Sequence, residues 1–299
     1  MVSAGATSNK RRQSLGNGFT RIDVRPVSGA LGAEILGVDL NQADEETIEQ
    51  IHRAFLQYHV IFFRDQSLSI DSHKDFARRF GTLNIHPQYV PLKGHPEVLS
   101  VTKEPLDIHN VGGVWHSDLT FLERPPMGSI LYALEVPDRG GDTQFANQML
   151  AYESLTEACQ NLLSGLRALH SDRGLSERKE AQKRNATRSL KIAESAMDQP
   201  PVANLHPVVR THPQTGRKSL FANRAFTIHF EDMTEEESRS FLNFLYEHAV
   251  KPEFTCRFRW KKHSIAMWDN RCVQHYALND YAGKRRHMHR VTVDGDKPF

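Results

Sequence analysis

Residues 115–121 read WHSDLTF and place two metal-capable side chains, His116 and Asp118, one residue apart. The neighbouring residues are mostly apolar or β-favouring, and on a strand residues i and i+2 face the same side. Both side chains can therefore point into one interior and meet a single ion. An imidazole and a carboxylate together suit Fe(II), Mn(II) or Zn(II). Taken alone, the pattern fits equally well a histidine that pairs with an acid on an ordinary strand.

A third ligand is available far along the chain at His275, after the strand-like segment that ends in MWDN. Two histidines and one carboxylate occupy one face of an octahedral ion and leave three positions open, as in non-haem iron oxygenases. A structural zinc site instead closes all four positions and favours cysteine. Cys159, Cys256 and Cys272 are widely spaced and form no such set.

An arginine in the same C-terminal stretch indicates an anionic co-ligand. Arg290 lies in HRVTV, which has the alternation of a strand. An arginine buried in a barrel requires a carboxylate, for which its planar guanidinium is the strongest partner. A 2-oxo dicarboxylate fits, because its 2-oxo acid end would chelate the ion while its far carboxylate meets Arg290. Thr143, in GGDTQFAN, is the hydroxyl expected beside that carboxylate.

Many short β-type segments and a few helices indicate the fold class. Strands are predicted at 19–27, 59–65, 97–103, 128–136, 143–147, 253–260, 264–270 and 289–296. Amphipathic helices are predicted at 43–58, 71–81, 151–166 and 234–250. The last of these opens with Thr234 and Glu237 in a capping-box pattern, and Gly81 is expected to cap the second. The sequence predicts a mainly β protein with flanking helices (α+β), built on one jelly-roll barrel.

Composition bounds the partners and the compartment. The 299 residues are 39% hydrophobic with a net charge of +2, which gives no electrostatic case for nucleic acid or for an anionic membrane. No run of 18 apolar residues exists, so no transmembrane helix is expected. Three cysteines without a CxxC pair favour a reducing compartment, so we expect a cytoplasmic protein.

We expect one domain over residues 18–299, preceded by a disordered tail over residues 1–17. The tail is basic and free of acids, as a transit peptide is, but it lacks an amphipathic apolar stripe. Residues 171–200 are strongly charged and have few apolar anchors. This composition predicts a lid-like insertion over a site, with a solvated surface excursion as the alternative.

The sequence resembles the taurine dioxygenase family of Fe(II)- and 2-oxoglutarate-dependent oxygenases. The matching segments are WHSDLTF, GGDTQFAN, LHPVVRTHPQTGRKSLFAN, KPEF, WDNRCVQHYALNDY and HRVTVDGDKPF. They occur in the family's order, and the resemblance covers residues 19–299. The resemblance implies a double-stranded β-helix core of the cupin-like kind, with Fe(II) bound by His116, Asp118 and His275.

The resemblance also implies a co-substrate site. 2-Oxoglutarate would be bound by Thr143 and Arg290, with Arg286 as a helper in the same pocket. Members of this family are often dimers or tetramers, so a homo-oligomer is a further expectation.

The activity that the resemblance implies is hydroxylation of a small anionic substrate, coupled to conversion of 2-oxoglutarate and O₂ into succinate and CO₂. If the hydroxylated carbon carries a sulfonate or a sulfate ester, the product collapses to an aldehyde and releases sulfite or sulfate. One alternative is a hydroxylase of an amino-acid-like or aryloxy-carboxylate substrate. Another is a non-catalytic β-helix protein that binds a metal.

The segment NIHPQYV matches the region that binds the substrate in taurine enzymes. His86, if protonated, would meet a sulfonate or sulfate, and Tyr89 stands at the neighbouring matching position. Gly112 occupies the place of an asparagine in taurine enzymes, which puts taurine in doubt and leaves room for a bulkier substrate. The expected apolar walls of the pocket, each of which fits a plain core role as well, are Leu119, Phe121 and Phe226.

Overall fold

The computed structural model describes residues 18–173, 189–197 and 199–299. The predicted tail at 1–17 and most of the predicted lid-like insertion at 171–200 lie outside the described residues. The strands are β1 (Asp23–Pro26), β2 (Ala33–Leu36), β3 (Val60–Phe63), β4 (Val98–Lys103), β5 (Gly128–Glu135), β6 (Thr143–Asn147), β7 (Arg167–Ser171), β8 (Ala203–Pro207), β9 (Val209–Thr211), β10 (Lys218–Leu220), β11 (Thr227–Phe230), β12 (Thr255–Phe258), β13 (Ile265–Asp269), β14 (Val273–Ala277) and β15 (Arg286–Val293). The helices are α1 (Glu45–Tyr58), α2 (Ile70–Arg78), α3 (Gln148–Glu153), α4 (Glu157–Leu163), α5 (Glu194–Met197) and α6 (Glu235–His248), with a 3₁₀ helix at Pro252–Phe254.

A seven-stranded sheet in the order β1-β2-β3-β13-β5-β15-β4 forms the centre of the fold. Its pairs are antiparallel except β2 with β3, which is parallel. One three-stranded sheet, β12-β6-β14, packs against one face of it, and the remaining strands form a second three-stranded sheet, β11-β7-β8, and a two-stranded sheet, β10-β9. The described residues confirm a mainly β protein with few helices.

Alternation along the central strands divides the apolar side chains between two cores. On β3, Ile61 and Phe63 pack on the side of α1, together with Phe55 of that helix. Val60 and Phe62 point the other way, into a core shared with the β12-β6-β14 sheet. The short continuous apolar run of β3 is therefore explained by burial on both faces.

Local sequence accounts for the ends of the helices. The predicted capping box of α6 is confirmed, because Thr234 accepts from the backbone N–H of Glu237 and the Glu237 side chain accepts from that of Thr234. The predicted cap at Gly81 is wrong, since α2 ends at Arg78 with Arg79 as its cap. Gly81 serves a close approach instead, because a Cβ atom there would lie 2.9 Å from the Val293 side chain.

The single helix predicted at 151–166 is also wrong. The chain forms α3, which ends with Ser154 as its cap, and then α4, which Thr156 caps by accepting from the backbone N–H of Cys159. None of the described helices has the length and apolarity that a membrane span requires.

The three cysteines are free thiols. Cys256 and Cys272 are buried in the core between the seven-stranded sheet and the β12-β6-β14 sheet. Burial raises the pKa of Cys256 to about 12 and holds the pKa of Cys272 well above its ordinary value.

The packing of this core predicts that alanine substitution of two phenylalanines will lower the free energy of unfolding by very different amounts. Phe62 is fully buried and its ring stacks on Phe258 at 4.0 Å, whereas Phe244 is 46% exposed on α6. We expect Phe62→Ala to lower the free energy of unfolding by about 3 to 5 kcal/mol, because it leaves a cavity in a packed core. The control Phe244→Ala should cost less than about 1 kcal/mol. Urea denaturation of the two variants measures both values, and equal losses would contradict this packing.

Candidate metal centre and ligand cavities

Main-chain pairing brings the first and third predicted ligands together. His116 and His275 exchange backbone hydrogen bonds of 3.2 and 2.8 Å, and their ring centroids lie 4.1 Å apart. Asp118 follows two residues after His116 on the same extended segment. One potential ligand atom from each of the three buried side chains lies within 4.8 Å of the others. The structure therefore assembles the three residues that the sequence pattern singled out.

The hydrogen bonds of the three residues fit a divalent cation. His116 Nδ1 donates to the Val114 carbonyl at 2.7 Å, which leaves the lone pair of Nε2 free, 3.7 Å from Asp118 Oδ1. His275 Nδ1 is buried and has no hydrogen-bond partner among the described residues. Two imidazoles and one carboxylate on one side of a small space are the donor set of a 2-His-1-carboxylate site.

The protonation states also suit metal binding. Burial lowers the pKa of His275 to about 3 and lowers the pKa of His116, so both imidazoles are neutral near pH 7. Burial alone would raise the pKa of Asp118, but the positive charge of Arg290, together with the hydrogen bond that Ser129 donates, outweighs it and holds the pKa well below its usual range. Neutral imidazoles and an ionised carboxylate are the forms that bind a cation.

A second buried group, made of His212, Asp269 and Cys272, is an ion-pair network rather than a metal site. His212 Nδ1 accepts from the backbone N–H of Gln214, so its Nε2–H donates to Asp269 Oδ2 at 2.9 Å. Arg271 donates to both oxygens of Asp269, at 2.8 and 2.6 Å. The raised pKa of Cys272 keeps its sulfur protonated. No free donor set is left for an ion.

A cavity of about 380 Å³ opens onto His116 and Asp118. Four of the five residues predicted to bind the substrate line it: His86, Tyr89, Leu119 and Phe226. Phe121 does not line it, because that ring is fully buried behind Phe226, at 5.2 Å between centroids. The other lining residues are His109, Asn110, Val111, Gly112, Gly113, Val114, Ala225 and Arg290.

His86 is a neutral hydrogen-bond donor in this cavity. Its Nδ1 accepts from the backbone N–H groups of Gln88 and Tyr89, both at 3.1 Å. Burial lowers the pKa of His86 to about 3, and the positive charge of Arg290 acts in the same direction. The proton of the neutral ring is therefore on Nε2, which can donate to an anion without the ring becoming charged.

A smaller cavity of about 40 Å³ lies beside His275 and is lined by both Thr143 and Arg286. Nε and Nη2 of Arg286 are buried and have no hydrogen-bond partner among the described residues, and the guanidinium lies 5.6 Å from the centre of the Trp260 ring. Trp260 Nε1 donates to Thr143 Oγ1 at 3.0 Å, so the Thr143 hydroxyl keeps its own proton to donate. A buried guanidinium with two unpartnered nitrogens, beside a hydroxyl that can donate, fits a carboxylate.

The two arginines of β15 face the same interior but serve different places. Alternation puts Arg286, Met288 and Arg290 on one face of β15, and Met288 belongs to the core between the sheets. The Cα atoms of the arginines are four residues apart, about 13 Å at the usual strand rise. Arg290 Nη1 donates to Asp118 Oδ1 at 3.1 Å, and Arg290 lines both cavities. Arg286, rather than Arg290, is thus placed against the Trp260–Thr143 pair.

Gly112 fits closely against a metal-capable ring. It has a φ of +81° and lines both cavities, and a Cβ atom there would lie 3.2 Å from His116 Cε1. A larger residue at this position would therefore press on His116, whereas glycine leaves the space to a ligand.

Sequence reasoning missed three residues of the site. Trp260 orients Thr143, Ser129 donates to Asp118 Oδ2 at 2.8 Å, and Asn270 bonds the main chain of Asp118. A signal for Ser129 existed, because it lies two residues before Leu131 and so on the same face of β5, which is buried in the core between the sheets. Trp260 and Asn270 act through contacts with distant parts of the chain, which periodicity does not show.

Comparison with known proteins gives a consistent family. The model for "Taurine catabolism dioxygenase TauD, TfdA family" matches residues 23–292. An alkylsulfatase of Acinetobacter baylyi is 34% identical over 286 residues, which cover 94% of this chain and 87% of the relative. An alpha-ketoglutarate-dependent sulfate ester dioxygenase of Pseudomonas putida is 35% identical over 285 residues, covering 93% and 91%. The crystal structure of a taurine dioxygenase from Burkholderia xenovorans aligns with a TM-score of 0.78 at 36% identity, covering 93% and 91%.

Metal titration distinguishes the two buried groups. We expect the protein to bind one Mn(II), a redox-stable substitute for Fe(II), and His275→Ala to weaken that binding by roughly 100-fold or more, because loss of a residue that merely orients a ligand already costs about 10- to 100-fold. Cys272→Ala is the control in the second group and should keep both affinity and stoichiometry. Isothermal titration calorimetry gives these values. Undiminished binding by His275→Ala, or loss of binding by Cys272→Ala, would show that the site is assigned wrongly.

Proposed function

The chain belongs to the taurine catabolism dioxygenase TauD, TfdA family, and on that premise we propose that it hydroxylates the carbon next to a sulfate ester or sulfonate group. Family membership makes it a non-haem dioxygenase that depends on Fe(II), 2-oxoglutarate and O₂. The alkylsulfatase and the sulfate ester dioxygenase among its relatives support the choice of substrate class.

In the proposed site, His116, Asp118 and His275 hold the iron. Fe(II) with bound 2-oxoglutarate and O₂ supplies an oxidation that puts one oxygen atom on the substrate carbon and the other in succinate, with release of CO₂. The chain contributes geometry and burial. His116, Asp118 and His275 would hold the iron from one side, which would leave its other side open to 2-oxoglutarate and O₂.

We propose that Arg286 and Thr143 bind the far carboxylate of 2-oxoglutarate. The observation that supports this assignment is the buried guanidinium of Arg286, whose Nε and Nη2 have no partner among the described residues. A carboxylate would accept from both nitrogens and from the Thr143 hydroxyl, which Trp260 holds in place. This proposal replaces the earlier expectation that Arg290 has the main role and Arg286 a helping one.

The substrate anion then belongs to the larger cavity. Arg290 and the Nε2–H of His86 are the donors there, and both line the cavity that reaches the metal ligands. Asp118 is the only acidic side chain among the described residues that line it. That carboxylate already accepts from Arg290 and Ser129, so none is left to pair with an amine such as that of taurine. Val111, Val114 and Phe226 favour an apolar chain instead.

The reaction balances without a further reactant. Hydroxylation of the carbon that bears a sulfate ester gives an unstable adduct, in which the new hydroxyl and the sulfate share one carbon. The C–O bond to sulfate breaks, its electron pair leaves with sulfate, and the hydroxyl loses its proton as the carbonyl of an aldehyde forms. With a sulfonate, the C–S bond breaks and sulfite leaves. The burial of His116, Asp118 and His275 keeps bulk water away from the oxidation.

We also infer that the seven-stranded sheet and the β12-β6-β14 sheet form a double-stranded β-helix core within one domain over residues 18–299. The core that they share, from Phe62 to Phe145 and Trp268, supports this inference. A homo-oligomeric state and a cytoplasmic location stay predictions from the sequence.

A substrate panel tests the proposed function. With Fe(II), 2-oxoglutarate and O₂, we expect a long alkyl sulfate to stimulate succinate formation and to release sulfate in equal amount, because its head fits Arg290 and His86 and its tail fits the apolar wall. Alkyl sulfonate, taurine, an aryloxyacetate and an N-acyl amino acid complete the panel. Turnover of the carboxylates alone would favour the alternative hydroxylase. No stimulated succinate with any compound, in iron-replete protein, would favour a non-catalytic metal-binding protein.

Binding assays should distinguish the roles of Arg286 and Arg290. Arg286→Leu is expected to weaken 2-oxoglutarate binding to the Mn(II)-loaded protein by about 2 to 5 kcal/mol, the usual loss for a desolvated charge pair. Arg290→Leu should mainly raise the KM for the sulfate ester. Arg285→Leu is the control, because Arg285 is a neighbouring arginine that pairs with Glu104 and Glu135 near the surface. Normal 2-oxoglutarate affinity in Arg286→Leu, with a loss in Arg290→Leu, would restore the assignment made from the sequence.

A further inference from the structure

The side chain of Asn270 makes an unusual contact with a metal-capable residue. Its Oδ1 accepts from the backbone N–H of Asp118 at 2.6 Å, and its Nδ2 donates to the backbone carbonyl of Asp118 at 2.8 Å. Nδ2 also donates to the Pro126 carbonyl at 3.2 Å. Asn270 is fully buried in the turn between β13 and β14. The amide thus satisfies both main-chain polar groups of Asp118, as a neighbouring strand would.

This contact is the last in a short series of hydrogen bonds between residues 116–118 and residues 270–275, which contain all three metal-capable residues. His116 pairs with His275 through the main chain, and Ser117 Oγ donates to the Val273 carbonyl at 2.8 Å. The next step along the same two segments is the contact of Asp118 with Asn270. The paired segment, β14, begins only at Val273, and Asn270 lies in the turn before it. The side chain of Asn270 therefore takes the place of a paired strand beside Asp118.

The residue after Asp118 shows why such a contact is needed. Leu119 has a φ of +52°, in the left-handed region that a bulky residue rarely adopts. Such a conformation costs free energy and persists only where the surroundings determine it. Leu119 also accepts from the backbone N–H of Leu122 at 3.0 Å, so the chain reverses directly behind the ligand. Relaxation of Leu119 would swing the main chain of Asp118.

The other described contacts of Asp118 orient its carboxylate but do not bind its main chain. Arg290 donates to Oδ1 and Ser129 donates to Oδ2 of Asp118. Asn270 itself lines neither of the two cavities, so any influence that it has on a ligand passes through Asp118.

We propose that Asn270 is a positioning residue, which clamps the main chain of Asp118 against the strained turn at Leu119 and thereby sets the position of the carboxylate relative to His116 and His275. The inference rests on the proposed function only in taking Asp118 as a metal ligand. A loss of the clamp should weaken metal binding beyond what a loss of fold stability explains.

The first experiment compares Mn(II) affinity across matched variants by calorimetry. Asn270→Ala removes both bonds, and Asn270→Asp keeps the shape but cannot donate to the Asp118 carbonyl, so we expect each to weaken binding by about 10- to 100-fold. Asn147→Ala is the control, because Asn147 is equally buried and bonds the main chain at Ala30 and Met149, away from the ligands. It should lower the thermal midpoint similarly and keep the affinity within about twofold of wild type.

The outcomes separate this inference from the proposed function. If wild type binds Mn(II) and both Asn270 variants bind it within about twofold as tightly, the positioning role is refuted while the metal site stands. If wild type itself binds no metal, the proposed function fails.

A second experiment uses absorption spectroscopy and does not depend on metal affinity. The visible absorption of bound Co(II) reports ligand geometry, so it should change in Asn270→Asp and stay unchanged in Asn147→Ala. An unchanged spectrum in Asn270→Asp would refute the role.

A double variant tests the part that the strain plays. Glycine adopts positive φ freely, so Leu119→Gly in the Asn270→Ala background should regain part of the lost Mn(II) affinity, at least about threefold by relief of the turn. The same Leu119→Gly change in the wild-type background should give little gain, because the clamp is intact there. No regain in the double variant would refute the claim that the clamp opposes strain at Leu119.

Discussion

The main-chain pairing of His116 with His275 is the contact on which the rest of the site depends. The two residues are far apart in sequence, yet their two backbone hydrogen bonds bring the imidazoles within 4.1 Å, centroid to centroid. Asp118 reaches the same point because residues i and i+2 of an extended segment face one side. A backbone contact of this kind is insensitive to side-chain chemistry. The ligand geometry is therefore set by the backbone pairing and not by flexible side chains.

The interior around this pairing contains two buried arginines and one buried carboxylate. β15 turns Arg286 and Arg290 inward, and Asp118 is the anion that Arg290 contacts there. Arg286 has no such partner for its Nε and Nη2 among the described residues. An unpaired buried cation destabilises the folded state, and a bound carboxylate removes that cost. Under the proposed assignment, the far carboxylate of 2-oxoglutarate supplies that partner, so the co-substrate would stabilise the folded protein as well as take part in its chemistry.

Local features were predictable from the sequence, and features that depend on register were not. The alternation of HRVTV indicated a strand, and Thr234 with Glu237 indicated the start of a helix, because both signals lie within a few residues. The roles of Arg286 and Arg290 depend on where β15 meets its neighbours, and alternation puts both arginines on the same face without distinguishing them. The prediction that Phe121 lines the pocket was wrong for a related reason, since periodicity cannot distinguish a residue of the cavity wall from one in the layer behind it. Asn270 acts across the fold, and no local pattern marks it.

The two interior cysteines, Cys256 and Cys272, have a consequence for a protein that handles dioxygen. Oxidants such as peroxide attack the thiolate form of sulfur far faster than the thiol. Burial raises the pKa of both residues far above neutral pH, so almost no thiolate exists in the packed layer between the sheets. Sulfur there fills space as a small hydrophobic atom. Peroxide released when dioxygen is reduced without substrate turnover would therefore react only slowly with these two sulfurs.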